Sequence, residues 1–420
     1  MALADESRPR HGLARRLWRR LPHGVRQRIM FDAGRVLAPR PARSPRGAMP
    51  VAIAGLFSTA SGVGEGARLA YAALDAAGLA PQAFDLSPAF GQVELAPDPA
   101  LRAMAPGEGS LIVHINAPYV PHALWALGRA RVGSRRVIGY WAWELPRLPP
   151  VWRLAVPFVH EVWVPSTFTA EAVRAAIDRP VRVVPHPVPT TEPTPGMRAR
   201  LGLPAEALVV LNVFHLGSAF TRKNPIAAVR AFRRAFGDAS DRVLAIKLVD
   251  NGAVPWALQA LREAIGGAAN IRVIDGMLPA PDMAGLVAAS DIVISLHRSE
   301  GFGLVLAEGM RLGKPVVATN WSGNLEFMTA GNSALVGRSL VPVDDPEGAI
   351  DGAGQVWADA DVDDAARWLR RLADDVDLRA RLGAAAAADV GSRLSPQKFA
   401  RTVAELVQQG QGDLTAARAR

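Results

Sequence analysis

At 420 residues, half of them hydrophobic, the chain is long enough for two domains with sizeable cores rather than one. It contains no Cys, which excludes a disulfide framework, a thiolate metal site and a cysteine nucleophile. The net charge of +9 is not spread evenly: residues 1–50 hold 12 Arg against 3 acids, leaving 36 basic and 36 acidic side chains elsewhere, so the globular body carries no footprint for nucleic acid.

Residues 1–48 form a basic leader. Leu13, Trp18, Leu21, Val25 and Ile29 are interleaved there with Arg15, Arg16, Arg19, Arg20, Arg26 and Arg28, as in an interfacial helix drawn to anionic lipid. Pro22 and Gly24 interrupt that helix, and a solvated Arg-rich tail is the competing reading. No apolar run reaches the roughly 18 to 20 residues of a membrane span, and the N-terminus lacks the apolar core of a signal peptide. A cytoplasmic protein, peripheral on the inner face of the cell membrane if the leader binds lipid, is the expected outcome.

Along the chain, residues 51–57 read as a strand, 61–66 as a glycine loop and 67–77 as a helix. Short apolar strands follow at 82–86, 111–115, 136–140 and 161–165, separated by helical or loop segments. That alternation predicts a parallel sheet with helices on both faces. The proline-rich stretch 184–195 reads as an extended linker. Beyond it, 208–213, 242–249, 271–274, 291–296 and 315–318 supply five more strands, and 361–385 with 396–409 look helical. The expected division is a first Rossmann-like domain over 49–190, a second over 200–385, and a terminal helix and tail over 386–420.

The most informative stretch is Ser299-Glu300-Gly301-Phe302-Gly303-Leu304, with Glu308 further on. It follows a buried strand and opens a helix. Gly301 and Gly303 let the backbone come close to a ligand, and the helix start, with the N–H groups of Phe302, Gly303 and Leu304, favours an anion. A carboxylate at Glu308 can accept hydrogen bonds from vicinal hydroxyls. The combination suits a ligand with phosphates and diols. Upstream, Arg222 and Lys223 precede Asn224-Pro225, where Asn suits a helix cap and Pro a first turn. Only four Lys occur in the chain, which gives Lys223 added weight. Two cations there would stabilise charge developing on a departing diphosphate.

These segments resemble the retaining glycosyltransferases of family 4, which have the GT-B fold. The resemblance rests on Glu300 and Glu308 at their seven-residue spacing, on Gly313-Lys314-Pro315 and Ser322-Gly323-Asn324 downstream, and on Phe214-His215-Leu216-Gly217-Ser218 with Thr221-Arg222-Lys223-Asn224-Pro225 upstream. Gly139-Tyr140-Trp141-Ala142-Trp143-Glu144 and Glu161-Val162-Trp163-Val164-Pro165-Ser166 are similar to a bacterial branch that builds surface polysaccharides. It implies two doubly wound domains facing a cleft, with the last helix returning to the first domain. It also implies transfer of a hexose, mannose or glucose among the candidates, from a nucleotide sugar to a saccharide or lipid-linked acceptor, with retained configuration and no metal or other cofactor. Glu300, Arg222, Lys223 and His114 are then the catalytic candidates. Gly301, Phe302, Gly303, Leu304, Glu308, Gly64 and Met277 would face the donor, with Glu308 on the ribose and Met277 near the base. Asn116, Trp141, Trp143 and Glu144 would face the acceptor. In this family the Arg and Lys are often several residues apart, whereas here they are adjacent.

Rival readings compete with this one. Gly62-Val63-Gly64-Glu65-Gly66, with Asp85 downstream, approaches a dinucleotide fingerprint and would make the protein an NAD-dependent oxidoreductase or epimerase, although Gly66 follows Gly64 after one residue rather than two. The same fold could also serve a sugar phosphorylase, or a binding protein of GT-B architecture that has lost catalysis. Asp361-Val362-Asp363 and Asp375-Val376-Asp377 look like aspartate metal pairs but fall on charged surface segments, so no metal is expected.

Overall fold

The computed structural model describes residues 34–216, 219–250, 252, 254–348, 350 and 354–418, with side chains through residue 410. The leader up to residue 33 and the pair 217–218 lie outside the described residues.

The first domain holds β1 (Val51–Gly55), α1 (Gly62–Ala76), β2 (Gln82–Asp85), β3 (Ser110–His114), α2 (Val120–Leu127), β4 (Arg136–Tyr140), β5 (Glu161–Val164), α3 (Thr167–Arg174) and β6 (Val181–Val183). Its six strands pair in parallel in the order β2-β1-β3-β4-β5-β6. Strands β1, β3, β4 and β5 are buried along their whole length, which is why they read as continuous apolar runs rather than alternating ones.

The second domain repeats the plan with β7 (Leu208–Val213), α4 (Pro225–Phe236), β8 (Arg242–Leu248), β9 (Ile271–Asp275), β10 (Ile292–Ser295), α5 (Leu304–Arg311), β11 (Val316–Thr319) and β12 (Ala334–Val336). Its order is β12-β11-β10-β7-β8-β9, again all parallel. An antiparallel pair, β13 (Arg338–Pro342) and β14 (Val356–Ala360), follows, and α6 (Val362–Asp374), α7 (Val376–Arg393) and α8 (Pro396–Arg418) close the chain.

The ten predicted strands are present. The structure adds β6 and β12, three residues each and too short to leave a periodic signal, and the β13–β14 pair. Helix α1 also starts earlier than predicted. Ser61 takes the N-cap, its side chain accepting from the Gly64 nitrogen at 3.2 Å, so the expected glycine loop is the first turns of the helix. The two aspartate pairs are capping devices: Asp361 accepts from the nitrogens of Asp363 and Asp364, and Asp375 from that of Leu378.

Two features hold the domains against each other. Helix α8 returns to the first domain, where Val403 and Val407 are buried with Ile53, Ala67 and Leu74, and Arg136 donates to the Leu406 carbonyl at 3.2 Å. The Ser166 hydroxyl, capping α3, donates to the Gly301 carbonyl at 2.7 Å, and Thr167 N donates to Glu326 at 2.7 Å. The C-terminal ends of β3, β4, β7 and β10 thereby meet across one cleft, the place where open α/β sheets bind ligands.

Candidate active site

The cleft has a volume of about 590 Å³. At its centre Glu300 meets two cations: Lys223 Nζ stands 2.5 Å from one carboxylate oxygen and Arg222 Nη1 3.4 Å from the other. Arg222 also donates to the Ser299 carbonyl at 2.8 Å and lies 3.8 Å from Glu144 of the first domain. Burial alone would raise the Glu300 carboxyl, but Lys223 and then Arg222 outweigh it and hold the pKa at about 2. Burial likewise opposes the Arg222 charge, and Glu144 and Glu300 more than compensate, so its pKa is raised. The site therefore keeps one carboxylate and a guanidinium charged across the physiological range.

Local backbone geometry delivers these groups. Arg222 and Lys223 stand just before the N-cap of α4, as predicted, and there they close a short helix of their own, Phe220–Lys223. Asn224 does occupy the N-cap of α4, but in a left-handed conformation (φ 51°) that turns its side chain away, and its amide donates to the Leu296 carbonyl instead. Beside Glu300, the Ser322 hydroxyl accepts from its backbone nitrogen at 2.8 Å. Gly303 has φ 95°, which requires glycine, and it caps α5 with no side chain over the free N–H groups. Gly301 also meets the first domain: a Cβ there would stand 3.4 Å from the Trp143 carbonyl, an ordinary contact, and its own carbonyl accepts from the Ser166 hydroxyl.

On the first-domain wall His114 ends β3, buried and stacked on Tyr140 with ring centroids 4.3 Å apart. Neither of its ring nitrogens has a hydrogen-bond partner from another described residue. Burial pushes its pKa down to about 4, so at neutral pH it is an uncharged imidazole able to donate and to accept. His186 sits alongside, 5.7 Å from His114 and 5.2 Å from Phe302 by ring centroids, with the Tyr140 hydroxyl 3.3 Å from its Nδ1. Burial, and secondarily His114, keeps it neutral as well.

Most of the expected residues come together here. Glu300, Arg222, Lys223, His114, Gly301, Phe302, Gly303, Leu304, Met277, Asn116, Trp143 and Glu144 all line the cleft. Three do not. Trp141 is fully buried, edge-on to Trp152, and belongs to the core of the first domain because β4 turns its ring inward. Gly64 faces its own loop, where a Cβ would collide with the carbonyls of Thr59 and Leu56 at 2.5 and 2.6 Å; Ser61, Gly62 and Val63 line the cleft in its place. Glu308 is half-buried on α5 beside Glu65 of α1, and burial, reinforced by Glu65, raises its pKa to about 8. It is thus a neutral carboxyl below that pH. Sequence reasoning passed over His186 and Lys247, which also line the cleft. His186 was hidden in a proline-rich linker, and Lys247 in an apolar strand, though its rarity as a Lys was a usable signal. Lys247 donates to the Leu248 carbonyl at 2.8 Å and to that of Gly276.

The dinucleotide reading loses its geometry. The glycines of 62–66 are helical, and Asp85 accepts from the Ser58 hydroxyl at 2.6 Å and the Ser87 nitrogen at 2.9 Å rather than facing the cleft.

Comparison with known proteins agrees with this architecture. Residues 211–359 match the family described as glycosyl transferases group 1. D-inositol 3-phosphate glycosyltransferase of Acidothermus cellulolyticus is 31% identical over 227 residues, 52% of this chain and 48% of its own length. The enzyme of the same name from Corynebacterium urealyticum is 28% identical over 47% of this chain and 46% of its own. The chain thus spans about half the length of the curated relatives it matches. Among solved structures, sucrose-phosphate synthase of Thermosynechococcus elongatus aligns with a TM-score of 0.62 at 17% identity, covering 89% of this chain and 100% of that one. HepE of Anabaena, in complex with UDP and glucose, aligns at 0.61 and 16%, covering 86% and 99%. Residues 211–359 are thus similar to the glycosyl transferases group 1 family, and the chain as a whole shares the GT-B fold of these solved structures.

Proposed function

We propose that the chain is a retaining hexosyltransferase that moves a hexose from a nucleoside diphosphate sugar to a hydroxyl of a saccharide or lipid-linked saccharide. The observation that carries this reading is the Lys223–Glu300–Arg222 cluster, set in the cleft against the uncapped start of α5. A diphosphate placed there would draw Lys223 and Arg222 onto its oxygens and find N–H donors at Gly303 and Leu304. The acceptor oxygen forms a bond to the anomeric carbon while the bond from that carbon to the diphosphate breaks. The electron pair leaves with the diphosphate, held by the two cations. The acceptor proton passes to the departing phosphate oxygen on the same face of the sugar, which retains configuration. Glu300, already ionised, would accept a hydrogen bond from a hydroxyl of the transferred sugar, and the His114 nitrogens would meet another. Charge on the leaving group is met by side chains, so we propose that no metal is required.

The nucleotide-sugar donor and the saccharide class of acceptor draw support from HepE, whose structure holds UDP and glucose, and the curated relatives by name use D-inositol 3-phosphate. A role in surface polysaccharide or lipopolysaccharide synthesis, at an inner membrane face reached through the basic leader, completes the proposal. The test is transfer assayed across UDP, GDP and ADP sugars with saccharide and inositol phosphate acceptors, with and without chelator, and the product anomer assigned by NMR. Inverted product, dependence on added metal, or release of sugar 1-phosphate with free phosphate would each overturn part of it.

A further inference from the structure

We infer that one face of the first domain, built from residues 34–40, helix α2 and the 3-10 helix Pro150–Phe158, docks on an anionic lipid surface. Three observations place these segments side by side. Gly34 lies against the backbone of Pro121 and His122, so close that a Cβ would stand 3.0 Å from the His122 nitrogen. The Arg40 guanidinium covers the Phe158 ring at 4.0 Å. The 3-10 helix packs on α2 and on the turn Ala117–Tyr119, with Trp152, Ala155 and Phe158 facing inward.

What the segments turn outward is unusual for a solvent surface. Val36 is 83% exposed and Trp125 45%, and Leu37, Val151 and Leu154 are exposed as well. Trp125 stands edge-on to His122, 5.5 Å between ring centroids, and Gly34 lies against the His122 backbone, so segment 34–40 starts beside the helix that carries Trp125. Charge on the same segments has one sign. Residues 34–50, 117–135 and 145–160 contain nine Arg and neither Asp nor Glu. Arg135 is buried and Arg131 half-buried, and the other seven are exposed. Arg46 lies 3.8 Å from Glu108, just before β3.

Exposed Trp and aliphatic side chains ringed by Arg match the interfacial layer of a bilayer, where Trp is favoured and each Arg gains from the negative surface potential. A protein partner would need a matching acidic apolar patch, and nucleic acid would make no use of Leu37, Val151 and Leu154. The leader supports the same occupant: residues 1–33, with eight Arg against three acids, enter the described fold at Gly34, on this face. The face also adjoins the first-domain wall of the cleft. Asn116, which lines the cleft, leads into the turn before α2, and Trp143 and Glu144 precede Arg147.

The test is sedimentation of the full chain with vesicles of phosphatidylcholine alone or mixed with phosphatidylglycerol. Wild type, a Trp125→Glu/Leu154→Glu variant, an Arg40→Ala/Arg153→Ala variant, and a leader variant with Arg15, Arg16, Arg19, Arg20, Arg26 and Arg28 changed to Ala are compared. Melting temperature and nucleoside diphosphate binding verify the fold of each. The inference predicts binding to the anionic vesicles only. Partition should fall at least tenfold in the apolar variant and about 25-fold in the arginine variant, taking roughly fivefold per Arg. The leader variant should still bind in a manner sensitive to Trp125→Glu. Absence of wild-type binding, equal binding to neutral vesicles, or full binding by both face variants would overturn it. Capture by an oligonucleotide without vesicle binding would overturn it equally.

Discussion

Both domains carry glycines where a parallel strand gives way to a helix, at Gly62, Gly64 and Gly66 after β1 and at Gly301 and Gly303 after β10, and the two sets have different physical reasons. In the first domain Ser61 caps the helix, the glycines lie inside it, and each close approach is to protein: Gly64 to two carbonyls of its own loop, Gly66 to the rings of His186 and His114. In the second domain Gly303 has a left-handed backbone, no side chain caps the helix, and a carboxylate with two cations stands beside it. A glycine pattern alone does not distinguish packing from binding. The capping residue before it and the charges around it do.

The largest effect should come from the charged cluster. Replacing Glu300 by Gln, or Arg222 by Ala, is expected to lower kcat about 10²- to 10³-fold, the range for losing one preorganised electrostatic group, with the fold intact by circular dichroism. Equal rates in either variant would remove the second-domain loop from the chemistry. Next is Gly64→Ala, whose Cβ must push two carbonyls apart. Overpacking of this kind costs about 1–3 kcal/mol, read as a lower denaturation midpoint with little change in donor KM. Gly303→Ala sharpens the contrast from the other side, since strain at φ 95° should raise donor KM together with a cost of about 1–2 kcal/mol in stability.

Glu308 gives a pH test. Its folded pKa lies near 8, above the ordinary 4.5, so the native state holds a proton that the unfolded chain releases. Stability should therefore fall as pH rises from about 4.5 to 8 and level off above it. Glu308→Gln removes that slope, and its melting temperature should gain on wild type by roughly 2–4 °C by pH 8 per kcal/mol recovered, while matching it near pH 4. The smallest effect is Gly62→Ala. Nothing stands within 4 Å of the added methyl at a helical position, so stability should rise by about 0.5 kcal/mol and the nucleotide response should be unchanged.

Much of this was legible in the sequence. The buried parallel strands announce themselves as apolar runs, and Glu300, Arg222 and Lys223 keep their spacing to strands that could be read. What was not legible depends on contacts distant in sequence. Trp141 and Trp143 alternate on one strand end and both pack edge-on against Trp152, and only the position of the cleft in the assembled structure separates them, since Trp143 also lines it and Trp141 does not. His186 becomes a site residue because a linker passes over Gly66, and the Gly301 carbonyl is held by the Ser166 hydroxyl of the other domain. Such reasons lie in the docking of the two halves.

Nucleoside diphosphate binding at the second-domain loop is measured most directly by thermal stabilisation with UDP, GDP, ADP and NAD, on wild type, Lys223→Ala and Gly62→Ala. Ligand at 100 times its Kd stabilises by about 2.7 kcal/mol. The prediction is a rise in melting temperature with a nucleoside diphosphate, lost in Lys223→Ala and kept in Gly62→Ala. A rise with NAD alone, kept in Lys223→Ala and lost in Gly62→Ala, would contradict it and move the site to α1.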